Sequence, residues 1–367
     1  MSGRGQIVQP LPDPPVHAPI VGIVPDNTRS NRAVVLHGPG DLRIEDRPVP
    51  APGPRELLVE VTAVGVCGSD VHYYEHGRIG ARVVRSPLVL GHETCGRVVE
   101  LGERAAPREL GQRVCIEPGI PCGDCRECQA GRYNLCPDVR FHGTPPIDGS
   151  LTNYLAVHED FVFPLPRELS DDAGALMEPL AVAVWACRRA HLEERASVLV
   201  TGAGPIGLLV AQTARALGAE EVVITDVSSV RVETARRMGF DCALDVSSQA
   251  PAEQGVEVDA LIECSGQAAA LAGGIACLRP AGTAVLVGMG ATEVTLPLDL
   301  LQRRELIITG TFRYAHAFPE AIALAADGRV DVESLISARF PLERTEAALR
   351  ASRDDPAMVK AVVHPGA

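Results

Sequence analysis

The sequence predicts an α/β protein of two units, a β-rich one and a doubly wound parallel sheet, and three observations carry this. Between about residues 33 and 160, short apolar segments are punctuated by glycine. From Ser197 onward, strand-like and helix-like segments alternate. Where that alternation begins, Gly202, Gly204 and Gly207 form G-x-G-x-x-G.

Taken in order, residues 1–30 carry prolines at 10, 12, 14, 15, 19 and 25 without sustained periodicity. Such a composition cannot bury a face, so a mostly disordered extension is expected there. The segments AVVLH, ELLVEVTAVGV, GRVVELG and QRVCIEPG each fit a short strand closed by a turn. At Asp171 the pattern changes: DDAGALMEPLAVAVWACRRA has acids at its start and arginines at its end, which suits the helix dipole. SVLVTGAG then reads as a buried strand and turn, and PIGLLVAQTARALGA as an apolar-faced helix. EVVITD, VDALIECSG, GTAVLVGMG and ELIITGT continue the strands of a parallel sheet with crossover helices. After about Ala315 the chain has helical stretches and one strand-like run, and is expected to return to the first unit.

The bulk properties narrow the function. A chain of 367 residues can build two cores. Its formal net charge of -13 opposes polyanionic partners, so neither nucleic acid nor an anionic membrane surface is expected. No apolar run is long enough to span a bilayer, and the start of the chain lacks a secretory h-region. The expected location is the cytoplasm, where the 11 cysteines are thiols or metal ligands.

Four of those cysteines, Cys122, Cys125, Cys128 and Cys136, follow C-x2-C-x2-C-x7-C. Two-residue gaps let successive sulfurs converge, as a tetrahedral structural zinc requires. Disulfides are the rival reading and suit a small secreted domain, which this chain is not. A nucleic-acid-binding zinc ribbon is disfavoured by the acidic balance.

In the glycine fingerprint, Gly202 permits the tight turn, Gly204 lets the backbone approach a pyrophosphate, and Gly207 allows close helix packing. Pro205 and Ile206 open the following helix, whose free N–H groups would receive phosphate. Asp226, ending the next strand, can accept from the adenosine ribose hydroxyls and would repel a 2′-phosphate, which favours NAD over NADP. Arg231 stands nearby as the residue that leaves room for NADP. A helix-capping role is the competing reading of Asp226.

Cys67 in GVCGSD and His92-Glu93 in LGHETCG supply a thiolate, an imidazole and a carboxylate, a mixed set typical of a catalytic zinc. Together, VCGSDVHYYEHGRIG, LGHETCGRVVELG, the four-cysteine stretch, ALMEPLAVAVWACRRA, TGAGPIG and TGTFRY resemble the zinc-dependent medium-chain dehydrogenase/reductase family. More narrowly they resemble its polyol branch, the sorbitol (L-iditol) and xylitol dehydrogenases. The likeness runs from about residue 33 to the end.

The resemblance implies a GroES-like β domain holding catalytic zinc, a Rossmann domain holding NAD, and substrate between them. The expected division is 31–180 plus 315–367 for the catalytic domain, with the structural-zinc lobe at about 118–137, and 181–314 for the NAD domain. Cys67 and His92 match the first two zinc ligands, and Glu178 in MEPL stands where wider-family alcohol dehydrogenases have a second cysteine. Either Glu93 or Glu178 then binds zinc directly, the other acting through water. A carboxylate in place of a thiolate leaves zinc the stronger Lewis acid. Ser69 and His72 match a hydroxyl–histidine proton relay. Tyr73, Phe141, Thr144, Arg313 and Tyr314 match the branch's substrate positions. The implied reaction is oxidation of a sugar alcohol at C2 to the ketose, sorbitol to fructose or xylitol to xylulose, by a homotetramer. Threonine or 2,3-butanediol dehydrogenase is the nearest alternative. A non-catalytic, zinc-stabilised nucleotide-binding protein is the alternative of another class.

Overall fold

The computed structural model describes residues 29–290 and 292–366. The expected N-terminal extension lies outside them, except for residues 29 and 30.

The first sheet is built around the strand Glu56–Gly65, whose apolar residues Leu57, Leu58, Val59, Val61, Ala63 and Val64 are all buried, so both of its faces are covered. It pairs antiparallel with Glu93–Leu101, Tyr154–His158 and Lys360–His364. Two features of register set up the site. Gly65 lies opposite Glu93, so the chain leaving the strand toward Cys67 runs beside His92. Val362 also lies opposite Gly65, which brings Lys360 to the same corner. Glycine is required at 65, because a Cβ there would sit 2.0 Å from Glu93 Oε2.

The second sheet has six parallel strands. Across it they run Ala243–Asp245, Glu221–Asp226, Ser197–Thr201, Val258–Glu263, Leu278–Leu286 and Ile307–Gly310. This is the Rossmann order 3-2-1-4-5-6, with the switch point between Ser197–Thr201 and Val258–Glu263. Ligands of such sheets bind at the carboxyl ends of the strands beside that switch, where Gly202 lies. One hydrophobic core joins the two sheets. Ala63 and Cys95 from the first, and Val198 and Val200 from the second, belong to one cluster with Leu180 and Val184 of the helix that follows the first unit.

Three elements depart from expectation. The stretch from Asp171 is two helices, Asp171–Ala175 and Met177–Arg189, meeting at Leu176. Pro179 explains the break, since its ring would clash with the carbonyl of Ala175 in a continuous helix. Glu178 consequently falls in the first turn of the second helix. The tail forms two parallel strands, Ile336–Pro341 and Lys360–His364, where one was expected. The edge strand Ala243–Asp245 has three residues, too few for a periodic signal.

Candidate active site and metal centres

Cys67 ends an extended segment and caps the helix Gly68–His76. The Asp70 carboxylate accepts from Cys67 N at 3.1 Å and from Gly91 N at 3.0 Å, pinning the two loops together. Its Oδ1 lies 3.7 Å from His92 Nδ1. Burial opposes charge on His92, but Asp70 and Cys67 outweigh it and hold the imidazole well above its ordinary pKa. One ligand atom from each of Cys67, His92 and Glu93 falls within 4.8 Å of the others.

Lys360 Nζ donates to Glu93 Oε1 at 2.6 Å and to Val66 O at 2.8 Å. Glu93 Oε2 is buried with no hydrogen-bond partner, an expensive arrangement unless a cation is bound nearby. A thiolate, an imidazole and a carboxylate with an orphaned oxygen fit zinc. Glu178 is outside this trio. Its carboxylate is buried and accepts from Tyr314 Oη at 2.9 Å. Burial pushes its pKa up, with Glu93 adding to the shift and His92, Tyr314 and Lys360 opposing it.

The four-cysteine lobe fits a second zinc. Cys125 Sγ and Cys128 Sγ are 3.4 Å apart, Cys122 Sγ and Cys136 Sγ 3.5 Å, and Cys122 Sγ and Cys128 Sγ 3.9 Å. Four sulfurs about 2.3 Å from one ion are separated by roughly 3.8 Å, and none of these contacts is a disulfide. The short strands Gly119–Ile120 and Arg140–Phe141 close the base of the lobe, placing Phe141 opposite Gly119.

Phe141 gathers the residues expected to contact substrate. Its ring centroid lies 5.5 Å from that of His92, and the Arg313 guanidinium stands 3.8 Å over it. Tyr73 is buried, and burial raises its pKa. Arg313 Nη1 is buried without a partner, and burial lowers the guanidinium pKa to about 10. Of the two residues expected to form a proton relay, Ser69 is half-buried and His72 exposed, both on the helix that Cys67 caps.

Cys67, Glu93, Lys360, Gly204, Asp226 and Arg231 line one cleft of about 930 Å³ between the sheets. The three glycines suit a dinucleotide there. Gly202 has φ +90, a Cβ on Gly207 would lie 1.8 Å from Gly202 O, and open space faces Gly204. Gly204 also caps the helix Pro205–Ala216, with Ile206 in its first turn. Asp226 Oδ2 accepts from Ala203 N at 2.8 Å and Oδ1 from Ser228 N at 2.9 Å, so its carboxylate is fixed at the rim. Arg231 Nη1 approaches it to 4.0 Å.

Sequence reasoning missed Asp70 and Lys360. Asp70 had a local signal, three residues after Cys67 in a capping position. Lys360 also had one: it is the only lysine in a chain that otherwise uses arginine.

Residues 53–167 match the family model of the alcohol dehydrogenase GroES-like domain, and residues 205–327 match that of the zinc-binding dehydrogenases. Sorbitol dehydrogenase of Bos taurus is 44% identical over 331 residues, covering 88% of this chain and 93% of that protein. Sorbitol dehydrogenase of Homo sapiens is 43% identical over 323 residues, covering 86% and 90%. Among solved structures, L-idonate 5-dehydrogenase from Escherichia coli has a TM-score of 0.86 at 31% identity, covering 92% of this chain and 98% of that one.

Proposed function

The chain belongs to the zinc-dependent medium-chain dehydrogenase family, in its polyol branch, and on that premise we propose the residue roles that let it oxidise a sugar alcohol. The enzyme is a zinc- and NAD-dependent polyol dehydrogenase that converts a secondary hydroxyl at C2 to a ketone. The observation that carries the reading is the shared cleft, which places Cys67 and Glu93 against the glycine turn and Asp226.

Cys67, His92 and Glu93 are the proposed direct ligands of the catalytic zinc. Glu178, engaged by Tyr314, is proposed to act from behind them through water. When bound, zinc supplies Lewis-acid polarisation of the substrate hydroxyl and NAD supplies the hydride acceptor. Asp70, 3.7 Å from His92 Nδ1, is proposed to orient the ring, from which the metal would displace the proton that Asp70 and Cys67 favour. Lys360 fixes Glu93 and offsets the negative charge gathered in the corner. Arg313, Tyr73, Thr144 and Tyr314 present donors and acceptors to the remaining hydroxyls, with Phe141 as the apolar wall. A site built to bind hydroxyls discriminates strongly against simple alcohols, which leave its polar groups unpaired. Ser69 and His72 are proposed to carry the released proton outward, and the exposed ring of His72 suits the outer end of that path.

Asp226 is the proposed ribose acceptor, with Gly202, Gly204, Pro205, Ile206 and Gly207 cradling the pyrophosphate and Arg231 beside them. Cys122, Cys125, Cys128 and Cys136 are the proposed structural-zinc ligands. The proposed domain division is 31–180 with 315–367, and 181–314. No helix among the described residues is long and apolar enough to cross a membrane. Action in the cytoplasm as a homotetramer is part of the proposal.

A panel of sorbitol, xylitol, L-arabinitol, 2,3-butanediol and threonine, followed by NADH absorbance with NAD and NADP in parallel, tests it. Turnover of a polyol with NAD is expected; turnover of threonine or butanediol alone would overturn the substrate assignment.

A further inference from the structure

We propose that the four-cysteine lobe is a positioning device for the substrate side of the site, with Tyr133 and Asn134 as its positioning residues. The lobe reaches across to Phe312–His316, the segment that carries Arg313 and Tyr314. Asn134 is buried, and its Nδ2 donates to Phe312 O at 2.8 Å. The Tyr133 hydroxyl accepts from His316 N at 2.8 Å and donates to Glu117 Oε1 at 2.8 Å. The His316 ring stands edge-on to Tyr133 at 4.8 Å, and its Nε2 lies 3.1 Å from Gly131 O.

These contacts matter because burial in the core holds Tyr314 and Ala315, whereas Arg313 is half-buried and His316 exposed. The segment has no helix or strand of its own. Arg313 and His316, neither of them glycine, have φ of 52 and 54, conformations that persist only when the surroundings impose them. The contacts come from Gly131, Tyr133 and Asn134, all between Cys128 and Cys136. Arg188 Nη1, donating to His316 O at 3.0 Å, is one anchor from the other side, and the packing of Tyr314 on Phe318 is another. Arg313 over Phe141 and Tyr314 on Glu178 therefore sit at the end of a chain of contacts that starts at the cysteines. An intact lobe sets where those two side chains stand. The inference rests on reading Arg313 and Tyr314 as substrate contacts.

The test uses the zinc-loaded enzyme and the variants Tyr133→Phe and Asn134→Ala, alone and combined. Tyr133→Phe keeps the ring and removes only the hydroxyl; zinc content and thermal melting verify that each variant is folded and loaded. Hydrogen exchange of peptides covering residues 311–317 reads the segment directly. Faster exchange there is expected, together with a polyol KM raised about tenfold in the double variant, the size of one or two neutral hydrogen bonds. The KM for NAD is expected to stay within about twofold, because Asp226 and the glycine turn are untouched. Unchanged exchange at 311–317 in the double variant would overturn the positioning role. Faster exchange with an unchanged polyol KM would leave the anchoring standing and overturn Arg313 and Tyr314 as substrate contacts. Because exchange needs no substrate, it judges the lobe even if no polyol is turned over.

Discussion

Lys360 Nζ and Glu93 Oε1 form a 2.6 Å ion pair in which both side chains are almost wholly buried, at 4% and 1% exposure. The pair joins the C-terminal strand to the start of the strand Glu93–Leu101, directly after His92. Burial disfavours charge on Lys360, yet Glu93 outweighs it, and the ammonium is held above its ordinary pKa. Removing one partner of such a pair strands the other, whereas removing both together does much less harm.

Lys360→Met is accordingly expected to destabilise the fold by about 3–5 kcal/mol and to release the catalytic zinc. Combining it with Glu93→Gln should recover much of the stability while leaving that zinc site empty. Thermal unfolding and zinc content of the single and double variants measure the coupling; additive losses would show that the pair does not act as a unit.

Glu178→Ala is expected to abolish turnover while leaving the fold intact. Tyr314→Phe, which removes the 2.9 Å contact to that carboxylate, should lower kcat roughly 10- to 100-fold. Single-turnover kinetics with melting curves check both, and near-normal activity in Glu178→Ala would remove its assigned role.

Asp226→Asn should weaken NAD by about tenfold or more and improve the relative use of NADP, because the carboxylate that would repel a 2′-phosphate is gone. Asparagine is preferable to alanine here, since its amide oxygen keeps an acceptor for one of the two N–H groups, Ala203 N or Ser228 N, that the carboxylate accepts from. Titrations with both nucleotides report the change, and unchanged NAD affinity would contradict the ribose assignment.

Glu117 sets a pH dependence. Burial raises its pKa from 4.5 to about 7, despite the hydrogen bond from Tyr133. The folded state therefore favours the protonated form. The group's contribution to stability is complete below about pH 4.5, declines as pH rises toward 7, and is flat above. Glu117→Gln keeps an acceptor for Tyr133 and should remove that decline, gaining up to about 3 kcal/mol at neutral pH. Unfolding free energies between pH 5 and 8 decide it; parallel curves for the two proteins would refute the assignment.

Much of this was legible in the chain because local chemistry imposes it. The four cysteines, the three glycines and Asp226 carry their expected roles in their spacing, since the turn, the sulfur geometry and the strand end are all short-range. What required the structure is set by register. Nothing near Lys360 points to Glu93, 267 residues away, and the pairing of Val362 with Gly65 is what joins them. Tyr314 and Glu178 lie 136 residues apart in the same way. The break at Leu176 was readable from Pro179 but hidden by an otherwise helical composition. The lone lysine is a compositional signal that a motif-by-motif reading passes over.

The most direct test is stepwise removal of zinc with a chelator while NAD-dependent sorbitol oxidation and zinc content are followed together. With Cys67, His92 and Glu93 holding the reactive metal, activity should vanish as the first zinc per chain leaves and return when zinc is restored. The second zinc should persist on the four cysteines. Sorbitol and xylitol oxidation that survives loss of both ions, or none at all with about two zincs bound, would contradict the central claim.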